Sequence, residues 1–94
     1  MSTNNDGKGR MPEVTFSTFI LSLASSTLVQ LGEVPDPATA KTAPVDPLMA
    51  RHSIDILDML REKTKGNLTE QESQMLESML YELRMKYVMK CGKA

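Results

Sequence analysis

Lys63-Thr64-Lys65-Gly66-Asn67-Leu68-Thr69-Glu70-Gln71-Glu72 reads as the end of one helix and the start of another, with hardly a residue between them. Lysines suit a helix C-terminus, where the dipole is negative, and a glycine can take the left-handed conformation that closes a helix. Thr69 with Glu72 is a capping box, T-x-x-E, in which each side chain satisfies a backbone N–H of the other residue. Leu68 precedes the cap, but the position it would staple to is Ser73, so no hydrophobic staple is expected. Helix ends this close together predict an antiparallel hairpin.

Upstream, residues 47–65 form the first arm of that hairpin. Asp46 is a good N-cap and Pro47 suits the first helical position, where its missing N–H costs nothing. Met49, Ser53, Ile56, Leu57 and Leu60 share the expected buried face, flanked by Ile54 and Met59. Arg51, Asp55, Asp58 and Glu62 share the opposite face, with Arg51 and Asp55 at pairing distance. Downstream, Leu76, Leu80, Leu83 and Tyr87 form a seam of coiled-coil spacing, widened by Met75 and Met79. Arg84, Lys86 and Lys90 gather toward the C-terminal end, where the dipole favours cations.

Residues 15–32 predict one more helix, capped by Thr15 or Ser17 and ended by Gly32. Phe16, Phe19, Ile20, Leu23, Thr27, Leu28 and Leu31 follow its helical rhythm. Leu21, Ala24 and Val29 fall outside that stripe, so the helix is apolar over much of its circumference and is expected to be covered on more than one side. Residues 33–46, with Pro35, Pro37 and Pro44, form a proline-rich linker. Extended, it could span ~43 Å, against ~27 Å for the helix before it. The first helix could therefore pack in either direction, or on another subunit. The expected organisation is an all-α domain at 14–90, with flexible tails at 1–13 and 91–94.

Composition narrows the function. Eleven Lys and Arg against twelve Asp and Glu give a net charge of −1, which disfavours nonspecific nucleic-acid binding. The basic residues of the two hairpin helices fall at opposite poles and form no single patch. Phe16 to Leu31 is too short and too often interrupted by Ser or Thr for a membrane span, and Glu13 disfavours a signal peptide. One cysteine, Cys91, excludes a disulfide framework within the chain and suits the cytoplasm.

The segments Thr15-Phe16-Ser17-Thr18-Phe19-Ile20-Leu21-Ser22-Leu23-Ala24-Ser25-Ser26, Leu31-Gly32-Glu33-Val34-Pro35-Asp36-Pro37, Ile54-Asp55-Ile56-Leu57, Lys63-Thr64-Lys65-Gly66-Asn67-Leu68-Thr69 and Leu80-Tyr81-Glu82-Leu83-Arg84 occur in this order. Together they resemble a family of short bacterial proteins called domain of unknown function eighteen-forty-four, over roughly residues 14–88. The resemblance implies a mostly helical bacterial protein and carries over no catalytic residue and no activity.

No catalytic motif stands out. His52 and Asp55 lie one turn apart, but a di-iron bundle needs a second Glu-x-x-His element and there is no second histidine. One His and one Cys are too few for a zinc site, so neither a metal nor a cofactor is expected. Cys91 has no histidine near it in sequence to act as base. No G-x-S-x-G elbow and no phosphate-binding glycine loop occurs. Two tyrosines are too few for a nucleic-acid stacking platform.

A thin core without covalent or metal staples points to self-association. The candidate interface is Leu21, Ala24, Leu28 and Val29 on the first helix with Met85, Val88 and Met89 on the third. The expectation is a non-enzymatic, self-associating module, a homodimer with the first helix at its interface and room for a further protein partner. A monomeric three-helix bundle is the bland alternative on assembly, and a small enzyme or accessory subunit with an unrecognised site is the alternative on function.

Overall fold

A computed structural model describes residues 13–92. The described chain is all-α: α1 (Phe16–Gln30), α2 (Pro47–Lys63) and α3 (Glu70–Cys91). It contains no strand among the described residues, only one isolated bridge between Asp36 and Lys41. The tail expected at 1–13 lies outside the described residues except for Glu13, whose carbonyl accepts the Thr18 hydroxyl at 2.6 Å. Cys91, expected in the C-terminal tail, is instead the last residue of α3 and packs against the core.

Each helix starts where its cap chemistry places it. Thr15 caps α1, and Thr18 returns the hydrogen bond, making a capping box of two threonines. The Asp46 carboxylate accepts the Met49 N–H at 3.1 Å, with Pro47 at the first position of α2. Thr69 and Glu72 exchange the expected pair of bonds at 2.8 and 3.1 Å. Gly32 and Gly66 both take positive φ, +72° and +86°, just beyond α1 and α2. At Gly32 the space is closed as well, because an added Cβ would meet the Ala43 carbonyl at 3.3 Å.

Ile20, Ala24, Leu31, Ala50, Ile54, Leu57, Leu76, Leu80, Leu83 and Tyr87 form the buried apolar core. The four-residue seam of α3 is buried throughout, as its spacing predicts. The other two faces are rotated from expectation. On α1 the buried stripe is Ile20, Ala24, Thr27 and Leu31, while Phe19 is half exposed. On α2 it is Ala50, Ser53, Ile54 and Leu57, while Met49 is outside. The reason is size: Ala24, Ala50 and Ser53 are small enough to sit where helices meet closely, and the larger Phe19 and Met49 are turned outward.

Contacts between helices give their order. Arg61 reaches Glu77 at 3.2 Å and Asp58 reaches Arg84 at 3.0 Å, so position rises along α3 as it falls along α2. The linker folds back: Asp36 N–H donates to the Lys41 carbonyl and Asp46 N–H donates to the Gln30 carbonyl. That last bond, 2.8 Å long, places the start of α2 beside the end of α1. Glu33 then reaches across to α3, 3.4 Å from Lys86 and 3.3 Å from Lys90.

Candidate interaction surface

The seam of α3 turns Leu76, Leu80, Leu83 and Tyr87 inward, and helical geometry leaves Tyr81, Met85, Val88 and Met89 facing out. They are 69, 48, 43 and 78 % exposed. Their spacing of four, three and one residues makes a continuous stripe along the C-terminal half of the helix. A shallow recess of about 320 Å³ runs beside it, lined by Glu77, Tyr81, Arg84, Met85 and Val88.

The charged rim of this recess is held from behind. Arg61 donates to Asp58 at 2.6 Å and to Glu77 at 3.2 Å, and Arg84 reaches the same Asp58 oxygen. Asp58 and Arg61 therefore limit the freedom of Arg84 and Glu77, which remain half exposed.

Two further recesses have a different chemistry. The one at the α2–α3 turn is lined by Arg61, Glu62, Lys65 and Glu77, whose charges cancel in pairs. The smaller one, about 140 Å³, lies between Ala24 and Leu28 of α1 and Met79 and Leu83 of α3.

Of the residues singled out from sequence, Leu21, Met85, Val88 and Met89 lie at the surface. Ala24 does not: contrary to expectation it is buried in the chain's own core and presents no surface to a second copy. Leu28 packs against that core in part, and Val29 is half buried. On α1, Phe19 and Leu21 remain at the surface, 50 and 45 % exposed. Tyr81 was missed, although its spacing to Met85 and Val88 is a helical one. Leu48 and Met59 on α2 are also exposed.

The remaining candidates stay apart. His52 is exposed, and Asp55 accepts from Arg51 at 3.4 Å. Among the described residues, no group of three or more His, Cys, Asp or Glu side chains could hold a metal ion. Among them, too, no helix is long and apolar enough to cross a membrane. Among the described residues, Glu33 is the one acidic group with a marked shift: Lys90 first and Lys86 second hold its carboxyl below the usual value of 4.5.

The chain belongs to the family described as Domain of unknown function (DUF1844), whose profile matches residues 13–89. Neither a curated protein nor a solved structure matches the chain. Membership in DUF1844 assigns no activity.

Proposed function

We propose that this DUF1844 protein is a non-enzymatic, self-associating interaction module, a homodimer in its simplest form. The observation that carries the reading is the exposed stripe Tyr81, Met85, Val88 and Met89 on α3. Aromatic residues and methionines are enriched at protein interfaces, and methionine adapts its shape to a partner surface. The stripe lies on a regular helix rather than on a loop, so a partner meets a rigid face with little ordering cost. A bacterial cytoplasmic setting is part of the same proposal, supported by the lone thiol of Cys91.

Sedimentation equilibrium at micromolar concentration tests it. The expected species has twice the chain mass of 10.4 kDa. Replacing Met85 and Val88 together with Glu should return it to the monomer, whereas Asp55→Ala should not. A well-folded monomer at every concentration would overturn the proposal.

A further inference from the structure

We draw no further inference here: the strongest candidate, the exposed apolar patch of Leu48, Met49 and Met59 on α2, carries nothing, because nothing in the structure shows what covers it.

Discussion

The Ser53 hydroxyl of α2 donates to the Gln30 side-chain carbonyl of α1 across 2.8 Å. Ser53 is buried and stands among Ala50, Ile54 and Leu57, so this bond satisfies a polar group inside an apolar layer. Gln30 is engaged twice, because its backbone carbonyl also accepts the Asp46 N–H. One residue thus ties the end of α1 to both the cap and the second turn of α2.

Ser53→Ala should lower stability by about 1–3 kcal/mol, because it leaves the Gln30 amide without its partner in a half-buried position. Adding Gln30→Leu in the same chain should cost less than the two single changes summed. Urea denaturation of the four proteins in this cycle measures the difference. Strict additivity would show that the bond contributes nothing.

Loss of a helix cap should be felt at each start. Asp46→Ala and Thr69→Ala should each cost about 1 kcal/mol, the usual value for a removed cap. Thr69→Ser keeps the hydroxyl that accepts the Glu72 N–H and should remain close to the parent. Chemical denaturation midpoints check all three, with unchanged slope.

Gly32→Ala should destabilise by at least about 1 kcal/mol. A left-handed φ is unfavourable for alanine, and the new Cβ would press on the Ala43 carbonyl. Gly66 has a similar φ but no atom within 4 Å of an added Cβ, so Gly66→Ala should cost less. Comparing the two variants by thermal unfolding separates backbone strain from crowding.

Acid should weaken the tether between the linker and α3. Lys90 and Lys86 lower the Glu33 carboxyl below 4.5, so the folded state holds the charged form more strongly than the unfolded state does. The contribution is therefore fully present above about 4.5 and is lost as pH falls through the lowered value. Glu33→Gln should be less stable than the parent at pH 7, and the gap should narrow as pH falls below about 4.5. Because Glu33 is exposed, the effect should be small and should shrink in high salt. A gap that persists unchanged at pH 3 would show that the charge is not the cause.

Local signals made most of the secondary structure legible in this sequence. Caps act within four residues of themselves, so Asp46-Pro47 and Thr69-x-x-Glu72 mark helix starts without knowledge of the fold. Positive φ at Gly32 and Gly66 follows from the same local logic. The seam from Leu76 to Tyr87 was readable because its residues recur at alternating spacings of four and three. The outward stripe from Tyr81 to Met89 is what that seam leaves behind, and it could have been read in full by grouping Tyr81 with Met85 and Val88 on one face.

Tertiary structure alone decided which faces of α1 and α2 turn inward. Apolar residues surround much of α1, so periodicity could not choose between Phe19 and Ala24; packing of Ala24 into the core shared with α2 and α3 did. On α2 the choice of Ala50 and Ser53 over Met49 depended on the small volume available between helices, a property of the assembled bundle and not of any window of sequence. The direction of α1 was likewise open, since the linker was long enough for either. It was settled by contacts distant in sequence: Gln30 with Asp46 and Ser53, and Glu33 with Lys86 and Lys90.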